Sequence, residues 1–255
     1  MSIQVTGSYL QDKRHSNVSQ KFNVIQPLWV GNIMASHGLH LASLSTGRAR
    51  HEDKKDHQKT YSRYRGEEIL PGIYIDIIHC CFHMGRGRDS FSVGFYRTIC
   101  TNGCQTGTSF ERFDVRHSGD TWIQLNSAIE GCLKAKEQLK QAILKMQTTV
   151  LTEEQRIEFG KQVAALLTPR NALKVKHRLL NPQRVEDNGY GLFEVMQVSQ
   201  ERGVQGNNLV YIIPSKDAQG HETTRQMTAR GIKPNSQKSD DFNSQLFELA
   251  MKFAA

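Results

Sequence analysis

The sequence predicts an α+β fold: an N-terminal antiparallel sheet with a short leading helix, packed against a helical C-terminal half. Two observations predict it. Between residues 39 and 115 apolar positions alternate in short runs separated by glycine-rich or charged turns, and from residue 119 they recur at helical spacing. Strands do not alternate with helices in the repeating order that a parallel sheet requires. A single domain over 25–255 is expected, with 25–118 mainly strands, 119–255 mainly helices and 1–24 loosely ordered.

Leu28, Trp29, Ile33 and Met34 are helically spaced within Ile25–Gly38, with Pro27 tolerated in the first turn and Gly38 as a stop. Leu39–Ser45 alternates and reads as a strand, as does Gln58–Arg65. Gly72–Phe82, rich in isoleucine and bounded by Pro71-Gly72 and Met84-Gly85, reads as a buried central strand. Phe91–Cys100 follows, and Asn102-Gly103 is a hairpin turn that returns Cys104–Val115 antiparallel.

Asp120 is placed to cap a long helix through Gln147, with Trp122, Leu125, Ile129, Cys132, Leu139, Ile143 and Met146 on one stripe. Thr152-Glu153-Glu154-Gln155 is a capping box for a helix ending before Pro169. Asn171–Leu180 reads as a third helix and Leu192–Arg202 as a fourth, with Gly203 after it. Val210–Ile213 is too short to assign. Ser215–Asp241, polar and rich in Gly, Ser, Gln and Lys, reads as a flexible loop before a docking helix over Phe242–Phe253.

Composition excludes several classes. The 255 residues carry 33 Lys+Arg against 25 Asp+Glu, a net charge of +8. The longest apolar stretch, Ile69–Phe82, is broken by Pro71, Gly72, Asp76 and His79, so no membrane span and no membrane partner is expected. The start lacks a basic segment followed by an apolar one, and the five cysteines are an odd number. Both features predict a cytoplasmic protein with free thiols. The basic excess predicts an anionic partner, of which nucleic acid is the commonest for such a chain.

The densest basic run is Arg48, Arg50, Lys54, Lys55, Lys59, Arg63 and Arg65, with Tyr61 and Tyr64 inside it. Cations that neutralise phosphates, interleaved with aromatic faces on which unstacked bases can rest, suit sequence-tolerant binding of a single strand. Arg86, Arg88 and Arg97 bracket a second turn, and Arg112, Arg116 and His117 extend the set. The competing reading is a solvated hairpin whose charges protect a sheet edge.

His79, Cys81 and His83 share one strand face, and Cys100 and Cys104 flank the next turn. Neither cysteine pair has zinc-knuckle spacing, so no metal and no cofactor is assigned. His83, Cys104, Asp114, His117 and Asp120 are the residues able to do acid–base chemistry. The simpler reading makes Asp120 a cap and His117 a turn residue, leaving no catalytic set. No Walker loop, His-Glu-x-x-His or Gly-x-Ser-x-Gly motif is present.

Tyr96-Arg97-Thr98-Ile99-Cys100-Thr101-Asn102-Gly103, Val115-Arg116-His117-Ser118-Gly119-Asp120 and Pro182-Gln183-Arg184-Val185-Glu186-Asp187, in that order, resemble motifs of one family. Leu192–Gly203 and His57-Gln58-Lys59 with Arg63 and Arg65 add to the likeness. The chain resembles, from about Ser16 to Phe253, the phage/plasmid-like proteins grouped as domain of unknown function 932. That resemblance implies a prophage or mobile-element setting in a bacterial host, not a reaction. The family's Asn-Ser-His-Asp-Gly segment corresponds here to Cys81-Phe82-His83-Met84-Gly85, so Met84 replaces the acid and a His–Asp pair there is in doubt. The element order is also similar to the Rad52-like core of single-strand annealing proteins, a likeness of fold alone. Together these imply a DNA-binding protein acting on single strands in recombination or annealing, with homo-oligomers as in ring-forming annealers. The alternatives are a metal-dependent nuclease using His83 and His117, or an anti-defence protein that binds a host factor.

Overall fold

The computed structural model describes residues 7–48, 51–84, 87–98, 105–183, 189–232 and 237–255. The fold is α+β, in two compact units, Met1–Lys140 and Gln141–Ala255.

The first unit opens with one helical turn, α1 (Gly7–Leu10), and α2 (Pro27–Ser36), which has Pro27 in its first turn. Five strands follow: β1 (His40–Thr46), β2 (Thr60–Leu70), β3 (Ile73–Cys81), β4 (Asp89–Thr98) and β5 (Gln105–Val115). They form a meander, β1-β2-β3-β4-β5, with every neighbour antiparallel. Helix α3 (Thr121–Thr148) comes next, and the division between the units falls within it.

Register assigns the two faces of the sheet. Tyr64 pairs with Ile77, Ser62 with His79 and Thr60 with Cys81, and Phe91 continues the His79 row into β4. All of these side chains are fully buried. Helix α2 covers this face, where the Tyr64 hydroxyl donates to the Pro27 carbonyl at 3.3 Å. The early turns of α3 lie there too, with Gly131 close against Phe113 and Trp122 tilted over Trp29 at 5.3 Å. On the opposite face stand Tyr61, Arg63, Arg65, Tyr74 and Asp76.

The segment 1–24, expected to be loose, is tied down in its described part. Ser8, Tyr9 and His15 are buried, and Ser8 Oγ donates to the Lys55 carbonyl at 2.9 Å. Apolar content alone does not reveal this, because the segment is held by polar contacts.

In the second unit, α4 (Glu153–Leu167) begins at Thr152 with both hydrogen bonds of the capping box. Replacing Thr152 with alanine is expected to lower stability by about 1 kcal/mol, read by urea unfolding. Asn171–Leu180 is a correction: it contains β6 (Lys174–His177), not a helix. Pro169 and Pro182 leave room for only a short element, and pairing with β7 (Leu209–Lys216) decides its type. The region expected to be a loop over Ser215–Asp241 instead holds β8 (Glu222–Thr228) and the start of α6 (Gln237–Phe253). Strand β8 is almost wholly exposed, so its polar composition reflects a two-sided wet hairpin. Helix α5 (Leu192–Gln205) runs through Gly203, which is needed as a small residue where the Phe242 ring crosses. Phe159 of α4 meets Phe253 of α6 edge to face at 5.3 Å.

Candidate functional site

Period two puts His79 and Cys81 on the covered face of β3, and Asp89, the first residue of β4, reaches the same face two places before Phe91. Asp89 is fully buried. Its Oδ2 accepts from His79 Nε2 at 2.9 Å and its Oδ1 from the Phe82 backbone N–H at 2.8 Å. His117, just past β5, brings Nε2 to 2.9 Å from Oδ1, an ion-pair contact off the ideal hydrogen-bond line. His117 Nδ1 lies 2.9 Å from the Asn23 carbonyl, and the ring stacks on Phe22 at 4.1 Å. A carbonyl on one nitrogen and a carboxylate on the other both call for a proton, so the imidazolium is the favoured form.

The electrostatics agree. Burial works against ionisation of Asp89, but His117 and His79 outweigh it and hold its carboxyl far below the usual range. Burial likewise lowers the His117 pKa, yet its contact with Asp89 wins and the pKa is raised. His83 is pushed down to about 4, because burial outweighs the raising influence of the Asp89 charge. Burial pushes the Cys81 thiol up.

Two clefts adjoin across Met84, at the β3–β4 turn. One, about 480 Å³, is lined by Lys21, Arg88 and Arg116 with Phe22 and His117. The other, about 390 Å³, is lined by Arg48, Lys54 and Lys59 with His57, Phe82 and His83. Among the described side chains no carboxylate lies within 4.0 Å of any of these lysines or arginines. Lys59 rests over the rings of Tyr61 (4.7 Å) and Phe82 (4.3 Å).

Residues 14–232 match the family model described as Domain of unknown function (DUF932). The chain belongs to this family. The matched span takes in both clefts and the Asp89 cluster, and the DUF932 description assigns no reaction. No solved structure matches the chain.

Against this DUF932 framework the sequence-derived site residues divide. Arg48, Lys54, Lys59, Arg88, Arg116 and His117 gather at the clefts, and Tyr61, 40% exposed, stands beside Lys59. Lys55 is turned to Glu52 at 2.6 Å. Asp76 takes Arg65 through two bonds of 3.0 and 2.9 Å and Arg63 at 3.6 Å, and Arg65 also covers the Tyr74 ring. Their charge is therefore largely spent within the sheet. Tyr64 is a correction: it is fully buried and offers no ring face to a base. Its even number places it with Thr60 and Ser62 on the covered side. Replacing it with Phe is expected to cost about 1 kcal/mol in unfolding assays and to leave any nucleic-acid affinity unchanged. Arg50, Arg86 and the side chain of Arg97 lie outside what is described, as do Cys100 and Cys104.

Asp114 is exposed and paired with Arg112 at 3.0 Å, so it is not part of the His117 cluster. The partner of His117 is Asp89, which sequence reasoning missed. The signal was an acidic residue opening the strand Asp89-Ser90-Phe91-Ser92-Val93, where β-propensity disfavours it. Lys21, Phe22 and Asn23 were also missed, because their segment looked unstructured.

Proposed function

We propose that this protein binds single-stranded nucleic acid, in particular phage or plasmid DNA undergoing recombination or annealing, along the end of the sheet that carries the β3–β4 turn. The observation that carries the reading is the pair of adjoining clefts, each lined by three cations without a carboxylate partner among the described side chains. A chain of phosphates spaced several ångströms apart needs such a track, and its affinity then falls steeply with salt. Phe22, Phe82 and Tyr61 supply rings beside the cations, which suits unstacked bases better than a closed duplex.

Binding fits better than cleavage. No Asp or Glu lines either cleft among the described residues, so no oxygen-ligand seat for Mg²⁺ accompanies the phosphate track.

Fluorescence anisotropy with labelled single-stranded and duplex oligonucleotides, with strand annealing and strand length read in the same tubes, tests the proposal. The expected result is salt-sensitive binding that favours the single strand and leaves it intact. Absence of binding at low salt, or equal and salt-independent affinity for both forms, overturns it.

A further inference from the structure

We propose that His79, Cys81 and Asp89 form a binding site for zinc or a similar divalent ion that prefers nitrogen and sulfur donors. This inference is independent of the nucleic-acid reading. The three side chains are fully buried, and one donor atom from each lies within 4.8 Å of the other two. Zinc–ligand bonds of about 2.0–2.3 Å set donor–donor edges of about 3.3–3.8 Å, so closing on an ion takes movements on the order of 1 Å or less.

The placement follows from the sheet. His79 and Cys81 alternate onto one face of β3, and Asp89 stands where the antiparallel register continues past Cys80–Ser90 to face Cys81. Imidazole, thiolate and carboxylate are a zinc-type donor set, whereas Mg²⁺ and Ca²⁺ prefer oxygen alone. With the thiol proton released on binding, thiolate and carboxylate offset the two positive charges of the ion. The buried ion is then not left without counter-charge.

Two further observations point to a ligand. His79 Nδ1 is buried with no hydrogen-bond partner, so one of the two nitrogens of this imidazole is left unsatisfied. The second oxygen of Asp89 is already held by the Phe82 N–H and His117, the outer-shell support that fixes a ligating carboxylate. A tetrahedral ion takes a fourth donor. His83, 2% exposed and with Nε2 also unpartnered, follows Cys81 by two residues.

The competing possibility is a metal-free knot in which the Cys81 thiol donates to the Ile25 carbonyl at 3.3 Å. Cobalt titration of the tag-free, chelator-stripped full chain separates the two. The expected result is visible bands of tetrahedral Co²⁺ saturating at about one equivalent, with a sulfur-to-cobalt charge-transfer band, all displaced by Zn²⁺. In Cys81→Ser the charge-transfer band is expected to vanish. No cobalt spectrum, or a charge-transfer band that survives in Cys81→Ser, overturns the proposal. Should that variant fail to fold, X-ray absorption at the zinc edge of the unaltered, zinc-loaded chain decides. One sulfur among nitrogen and oxygen neighbours supports the site, and a shell without sulfur, or with several, refutes it.

Discussion

Replacing Arg48, Lys54, Arg88 and Arg116 together with alanine is expected to flatten the salt dependence of single-strand binding. Each phosphate contact contributes about 0.7 to the slope of log affinity against log salt for a single strand. If Lys21 and Lys59 join these four in contacting phosphate, the intact clefts give a slope of about −4 and the variant about −1.4. Between 50 and 200 mM salt the intact chain should then lose about 300-fold in affinity and the variant only about 7-fold. Substituting the exposed Lys174 and Lys176 of the second unit is the control and should leave the slope unchanged. The four targets are exposed or half-buried and make no ion pair with a described carboxylate, so the variant should fold. An unaltered slope removes both clefts from the account.

The largest stability effect is expected at Asp89. Its replacement by alanine leaves the His117 imidazolium buried without a counter-charge and strips the acceptor from His79 and from the Phe82 N–H. Removing one partner of such a buried network costs about 3–5 kcal/mol, because the remaining groups stay desolvated. Asparagine can still accept at one oxygen and should cost less. Urea unfolding measures both, and a loss below about 1 kcal/mol for the alanine variant would mean that solvent or a rearranged side chain takes over the carboxylate's part. The Asp89→Ala variant should also leave the β3–β4 turn more open to hydrogen exchange, since the Phe82 N–H contact spans that turn.

The five-stranded sheet was legible because its signals are local. Alternation in β1 to β4, the isoleucines of β3 and the turn glycines each specify strand and boundary without reference to the rest of the chain. Helices α3 and α4 were legible for the same reason, from one apolar stripe and one capping box. What escaped depends on pairing at a distance. Lys174–His177 has too few residues to declare its type, and only the ladder with β7 makes it a strand. Residues 222–228 are polar on both faces, so neither period shows.

The site was half legible. Clustered cations stand out in a sequence, but which of them remain available depends on where the carboxylates fall. Asp76 lies eleven residues beyond Arg65 and meets it only through the β2–β3 register. Tyr64 could have been assigned to the covered face from parity alone, since it shares it with Thr60 and Ser62. Asp89 and His117 are separated by an entire hairpin, and no spacing rule joins them. Their meeting is a property of the meander, in which the end of β3, the start of β4 and the end of β5 share one edge.

Photo-cross-linking of the full chain to a single strand carrying halogenated pyrimidines, with peptides assigned by mass spectrometry, tests the central claim most directly. Adducts should fall on the segments around Phe22, Tyr61 and Phe82, which carry the rings beside the two clefts. Adducts confined to residues 141–255, with those segments unlabelled, would contradict it.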